Sequence, residues 1–412
     1  MKTPISDYLA EIVESVRADD SGEVASYIPA LAEADPEQLG VALTTVSGRT
    51  YTAGDADAEF TIQSMSKPFA YAAALWEHGA DEVEKIVGIE PSGEAFNELS
   101  LESGTHRPKN PMINVGALAI HQMIGNPGDS WELRRDKLLE FFSALAGRPL
   151  CVDEDAFESE VGSAHRNLAI AHMLAAYDMI DTDPDDVVRG YTAQCSILVS
   201  TRDIAMMAAV LAAGGVSPTT GERVVARPIV RQVLSVMATA GMYDEAGEWF
   251  TEVGIPAKSG VAGGILGALP GQVGLAAFSP RLNEHGNSVR GTALLRRLSD
   301  DMGLHLMDAE AIGSRALRGS GMLEGRSVIE LQGPMNFTAA EIVLNRLVQS
   351  PPSESDVVFD LSRVGMVNDI GRRMVLEAMR RLRLDGHEIF LRDPEGVLPD
   401  PDMGDGVLPT IL

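Results

Sequence analysis

Residues Phe60 to Phe69 read Phe60-Thr61-Ile62-Gln63-Ser64-Met65-Ser66-Lys67-Pro68-Phe69. Downstream, Phe69, Ala72, Ala73 and Trp76 recur at i, i+3, i+4 and i+7, which predicts one face of a helix opening near Gln63. Ser64 and Lys67 lie three apart and so share a helix face. A serine hydroxyl is a weak nucleophile until a base removes its proton. A lysine amine can do that once burial or nearby positive charge lowers its pKa. Alone, S-x-x-K is a common string, and an exposed serine capping a helix is the plainer reading.

A second segment sharpens the first. Lys258-Ser259-Gly260 precedes Val273–Phe278 (VGLAAF), an apolar run expected to be a buried strand. S-x-x-K together with K-T-G marks serine β-lactamases and penicillin-binding proteins, and serine in place of threonine keeps the hydroxyl. The two strings would form separate walls of one site. Between them, Arg166–Ile180 and Arg202–Ala213 have helical spacing. Upstream, Gly40–Ser47 and Arg49–Ala53 are expected to pair as a hairpin. The order implies a helical region beside a sheet built from both ends of the first 300 residues.

After Asp300 the character changes. Residues 301–325 carry small residues and little periodicity, the mark of a linker. Residues 326–412 then alternate: strand Ser327–Leu331, helix Phe337–Val348, strand Asp356–Leu361, a helix carrying Met374, Val375, Ala378, Met379 and Leu382, and a strand starting at Glu388. This is a small α/β unit.

Composition narrows the partners. The 412 residues carry a net charge of −27, with only six lysines among the basic residues. Such a chain repels nucleic acid phosphates and anionic membrane, and its acidic surface suits salt tolerance. No apolar run is long enough for a membrane helix, and the N-terminus lacks the apolar core of a secretory signal. Cys151 and Cys195 fit reduced thiols in a cytoplasmic protein. The histidines form no H-x-x-x-H pair or His/Cys cluster, so neither a metal nor another cofactor is expected. Cys195 has no nearby histidine or basic surroundings to activate it, and is expected to be a packed thiol.

The runs FTIQSMSKPF, VGIEPSGEAFNEL, NPMINVGA, SEVGSAHRNLAIA, YTAQCSI, GMYDEAG, PAKSGVAGGI and FSPRLNEHGNSVRG together resemble the serine-dependent glutaminase family across residues 5–298. The resemblance implies a multi-domain α and β protein. Its first part, residues 1–300, would have the serine β-lactamase-like fold, an antiparallel sheet plus a helical region. It would convert L-glutamine and water to L-glutamate and ammonia, and act as a homo-oligomer, dimer or tetramer. It also implies roles: Ser64 as nucleophile, Lys67 as its base, and the backbone amides of Ser64 and Val261 as oxyanion hole. Tyr27, Asn114, Glu160, Asn167, Tyr191 and Tyr243 would contact substrate. These assignments suit glutamine chemically. Glu160 would meet the ammonium, while Asn114, Asn167, Tyr191 and Tyr27 can donate to the carboxylate. Tyr243 is placed to relay a proton to leaving ammonia. Residues 326–412 resemble a STAS domain through ELQGPMNF and VVFDLSRVGMVND. The usual phosphorylated serine is missing from Asn368-Asp369-Ile370-Gly371, which favours a packing or dimerisation module over a signalling switch.

Overall fold

The first unit is organised by an antiparallel sheet whose strands come from two distant stretches of chain. In spatial order they are Thr50–Gly54, Gly40–Thr45, Val273–Phe278, Gly264–Leu269 and Ala257–Gly260. The computed structural model describes residues 4–93, 101–308, 316–323, 325–335, 337–354, 356–404 and 406–412. They form two compact units, Met1–Asp308 and Ala309–Leu412.

Both faces of that sheet are covered, and the sequence alternates accordingly. Val41, Leu43, Ile265, Leu275 and Ala277 join the core that also holds Leu9, Ile12, Leu294 and Leu298, from the helices Pro4–Val16 and Val289–Met302. Ala42, Leu266, Ala268, Ala276 and Phe278 point the other way, into the larger core under the helix Thr201–Ala212. The small residues on this face let that helix sit close. A Cβ placed on Gly274 would stand 2.1 Å from the backbone nitrogen of Ala209. The helix itself starts at a capping box, Ser200 and Asp203 bonding each other's backbone N–H.

The hairpin forms as expected, Gly40–Thr45 against Thr50–Gly54, and the strand Val273–Phe278 has the expected bounds. The two helices read from periodicity span His165–Ala176 and Thr201–Ala212. Trp76 departs from expectation. Phe69, Ala72 and Ala73 are buried, but Trp76 is 58% exposed, and in the last turn of the helix Lys67–His78 it is Leu75 that packs into the core.

The second unit has a sheet in the order Thr410–Ile411, Glu388–Arg392, Asp356–Val367, Arg326–Met335, Leu317–Leu323. The last pair is antiparallel and the others parallel. The helices Phe337–Gln349 and Asp369–Leu384 bury Ala339, Ala340, Val343, Val375, Ala378 and Met379 against Ile329, Leu331, Val357 and Phe359. The expected linker, 301–325, needs correcting. Residues 309–315 and 324 lie outside the described residues, but Leu317–Leu323 is a strand. Its glycines and arginine hid it, since an edge strand needs little apolar alternation. The helix Val289–Met302 also runs through the expected boundary. Leu304 packs in the first unit's core, and Leu306 donates its backbone N–H to Gly254 O.

Candidate active site

Ser64 sits in a one-turn 3-10 helix, Gln63–Ser66, that leads directly into the helix Lys67–His78. Gln63, just before it, has φ +49. That conformation is costly for a side-chain-bearing residue and persists only where surrounding contacts enforce it. Here the Gln63 amide donates to Glu160 Oε1 at 2.5 Å and to Thr61 Oγ1 at 3.1 Å. Tyr243 is a second left-handed residue, φ +58. Its turn is clamped by the residues that follow it. Asp244 bonds His285 Nδ1 at 2.8 Å, and Glu245 accepts from the side-chain amides of Asn283 and Asn287.

Lys67 is 1% exposed, and burial pushes its ammonium down to about 7. Its Nζ donates to Asn114 Oδ1 at 2.6 Å. At neutral pH a large share of such a lysine is uncharged, the form a general base requires. Lys258 is also fully buried, on the edge strand Ala257–Gly260, with Nζ 3.8 Å from the centre of the Tyr243 ring. Burial and then Lys67 hold its pKa well below the lysine range. Tyr243 has the Ser64 and Ser259 hydroxyls beside it, and burial raises its own pKa. Gly241 permits this arrangement. A Cβ there would lie 1.8 Å from Ala257 O, so no larger residue lets the Tyr243 turn rest on that strand.

In front of these groups lies a cavity of about 300 Å³. Tyr27, Ser64, Asn114, Glu160, Asn167, Tyr191 and Val261 line it. Lys67 and Tyr243 are not among its walls, and their contacts place them behind Ser64 and Asn114. Residues far apart in sequence thus converge. Glu160, on the helix Glu154–Ser163, has its carboxyl pushed up to about 7 by burial, against the lowering effect of the Gln63 amide. Tyr27 is 59% exposed and forms the rim, so it is not a buried core tyrosine. Cys195 also faces the cavity, but burial pushes its thiol up to about 12, which fits a packed thiol. Among the described residues, no group of His, Cys, Asp and Glu is placed to hold a metal ion.

The glutaminase family model matches residues 22–307, which span every residue just described. This chain belongs to the glutaminase family. It is a hydrolase of the glutamine side-chain amide, releasing glutamate and ammonia. A glutaminase of Corynebacterium efficiens is 55% identical over 403 residues, 98% of this chain and 95% of the relative. The mixed α/β fold also matches glutaminase crystal structures. Mglu in its native form, solved in the presence of 4.3M NaCl, is 48% identical with a TM-score of 0.90, covering 97% of this chain and all of that one. A probable glutaminase from Bacillus subtilis, complexed with 6-diazo-5-oxo-L-norleucine, is 32% identical with a TM-score of 0.68. That match covers 74% of this chain and 98% of the other.

Several wall residues escaped the sequence reading, Gln63 and Arg166 among them. Gln63 lines the cavity and anchors Glu160. Its adjacency to Ser64 was visible, but its left-handed backbone was not. Arg166 also lines the cavity beside Asn167. It was hidden by sitting one residue into a helix read for its apolar face. The segment VGIEPSGEAFNEL is described only to Gly93, since residues 94–99 lie outside the described residues.

Proposed function

We propose that this glutaminase works through a covalent glutamyl–Ser64 intermediate on a serine β-lactamase-like scaffold. The observation that carries the reading is a serine on the cavity wall, in one turn with a fully buried lysine whose pKa lies near 7. Neutral Lys67 takes the Ser64 proton as Oγ attacks the amide carbon. The backbone N–H groups of Ser64 and Val261 hold the resulting oxyanion, a contribution of roughly 3 kcal/mol per donor in a comparable hydrolase. Tyr243, between Ser64 and Lys258, passes a proton to departing ammonia. Water then cleaves the ester by the reverse proton path. Glu160 takes the substrate ammonium. Tyr27, Asn167 and Tyr191 direct donors at its carboxylate, and Asn114 shares its amide between substrate and Lys67. The same scaffold could in principle open a β-lactam. A hydrolysis screen should show ammonia release from glutamine and no turnover of a chromogenic β-lactam. Turnover of the β-lactam alone would reverse the reading.

We further propose a cytoplasmic, salt-tolerant homo-oligomer with a STAS-like C-terminal unit that packs or dimerises rather than signals. The helix Asp369–Leu384 supports this, since it is capped by the Asn368 side chain accepting from Gly371 N, and the two positions before Gly371 hold Asp369 and Ile370 instead of serines. A chain ending at Asp308 should keep the glutamine kcat to within about twofold, because the cavity residues all precede that point. Ending at Asp300 instead removes Leu304, whose burial is worth roughly 1.5–3 kcal/mol, and should lower the melting temperature. A folded but inactive chain ending at Asp308 would place part of the site in the second unit. Size-exclusion chromatography of the two forms tests the dimerising role.

Activity should also persist in about 1 M NaCl, where the Debye length falls to about 3 Å and repulsion among the acidic surface groups is screened. Glutamine is a net-neutral zwitterion, so its capture loses little. A rate profile in NaCl beside a melting curve checks this. A steep loss of activity with the fold intact would contradict it.

A further inference from the structure

The helix Pro184–Cys195 presents two stripes. Tyr191 and Cys195, four apart, face the cavity. Gly190 and Gln194, also four apart, face the helix Asn114–His121. A Cβ on Gly190 would stand 2.3 Å from His121 Nε2, so the glycine brings the two helices into contact at this level. That contact puts Gln194 Oε1 3.0 Å from His121 Nδ1. The other end of the same amide, Nε2, donates to Ser66 Oγ at 2.8 Å. All three side chains are buried, at 1% exposure or less. Ser66 in turn lies against the Cys195 thiol, as does the Tyr191 hydroxyl.

This places one amide at the junction of the three elements that carry the chemistry. Ser66 stands between Ser64 and Lys67. His121 ends the helix that starts with Asn114, the partner of the Lys67 amine. Gln194 itself follows Tyr191 by three residues. None of Gln194, Ser66 or His121 lines the cavity. The turn they brace is the strained one, entered through Gln63 at φ +49. A strained turn needs surrounding contacts to hold it. A displacement of about 1 Å at such a site costs on the order of 10²-fold in rate.

We propose that Gln194 is a positioning residue, which holds the Ser64–Lys67 turn through Ser66 and the Asn114 helix through His121. The proposal rests on the reading of Ser64 as nucleophile and Lys67 as its base. It acts on the alignment of Oγ, the Ser64 N–H and the lysine amine, so its loss lowers kcat and spares substrate affinity. Because one amide serves both contacts, removing either end of the Gln194–Ser66 bond removes the same restraint.

The test compares Gln194→Met, which keeps length and apolar bulk, with Ser66→Ala, the double variant and Ser64→Ala, all in the full chain. Expected for each single positioning variant is a kcat loss of about 10–100-fold with KM for glutamine within about threefold. The double variant should lie within about twofold of the worse single one, since both break one interaction. In Gln194→Glu, burial keeps the carboxyl neutral and able to donate and accept, so kcat should recover by about fivefold or more over Gln194→Met. A glutamine that only supports the fold would lower the melting temperature and leave the kcat of the folded protein within about twofold of the parent. That result overturns the proposal, as does a rise in KM at constant kcat, or losses that multiply in the double variant. Should Gln194→Met not fold, Ser66→Ala decides alone by the same kcat and KM criteria. If Ser64→Ala stays active, the reading of the nucleophile has failed. If Ser64→Ala is dead and both positioning variants have parental kcat, the positioning role alone has failed.

Discussion

Ser64→Ala is expected to lower glutamine turnover by about 10⁴–10⁶-fold while the protein stays folded, because the covalent route is removed and only binding and the oxyanion hole remain. Ser64 is 8% exposed, on the cavity wall, with Tyr243 beside its hydroxyl, and the change to alanine removes a single oxygen, so it leaves little to repack. The contrast with Ser66 is informative. Ser66 is two residues away and wholly buried, accepts from Gln194, and does not reach the cavity. Its alanine variant should be less stable, since it strands a buried donor, yet remain far more active than Ser64→Ala. Circular dichroism with steady-state ammonia release separates the two effects. An active Ser64→Ala beside a dead Ser66→Ala would move the nucleophile.

Glu160→Gln is expected to raise KM for glutamine by about 10–100-fold, the loss of a charge-assisted bond of roughly 1.5–3 kcal/mol. A desamino analogue, which has no ammonium to lose, should change little. Equal losses for both would remove Glu160 from the ammonium site. The same carboxyl predicts a pH effect. Burial raises the pKa of Glu160 to about 7 and lowers that of Lys67 to about 7. Below pH 7 both therefore take up a proton. Glu160 then loses the charge that meets the ammonium, and Lys67 loses the lone pair that takes the serine proton. Both changes fall on the acid side, so log kcat/KM should drop with a slope approaching about two as pH falls below 7. In Glu160→Gln the slope should relax to about one, the remaining proton belonging to Lys67. A parental slope of one, unchanged by the mutation, would show that Glu160 is ionised throughout.

Much of this arrangement was readable before any coordinates. Two strings, Ser64-x-x-Lys67 and Lys258-Ser259-Gly260, mark the two sides of the site. Periodicity disclosed three of the sheet's strands and the helix Thr201–Ala212 on one of its faces, but not the strand Gly264–Leu269 or the helices Pro4–Val16 and Val289–Met302 on the other. The cavity gathers seven of the residues nominated from resemblance, with Lys67 and Tyr243 behind them. What escaped reading did so for separate physical reasons. The left-handed backbone at Gln63 and Tyr243 belongs to residues with ordinary side chains, and only glycine would have announced it. The Gln63–Glu160 bond spans 97 residues, and no local pattern encodes it. The strand Leu317–Leu323 has few apolar positions because it lies at a sheet edge. Trp76 kept the helical period while leaving the core, since periodicity reports a face and not what covers it.

The central claim is a glutamyl ester on Ser64, and rapid-quench mass spectrometry of the working enzyme addresses it directly. The parent protein is mixed with excess glutamine, stopped in acid within the first turnovers, digested and mapped. The account predicts a burst of ammonia matched to the enzyme concentration if deacylation is the slower step. In either case it predicts a glutamyl adduct confined to the peptide containing Ser64 and absent from Ser64→Ala. An adduct on another residue, or full turnover by Ser64→Ala with no adduct anywhere, would contradict it.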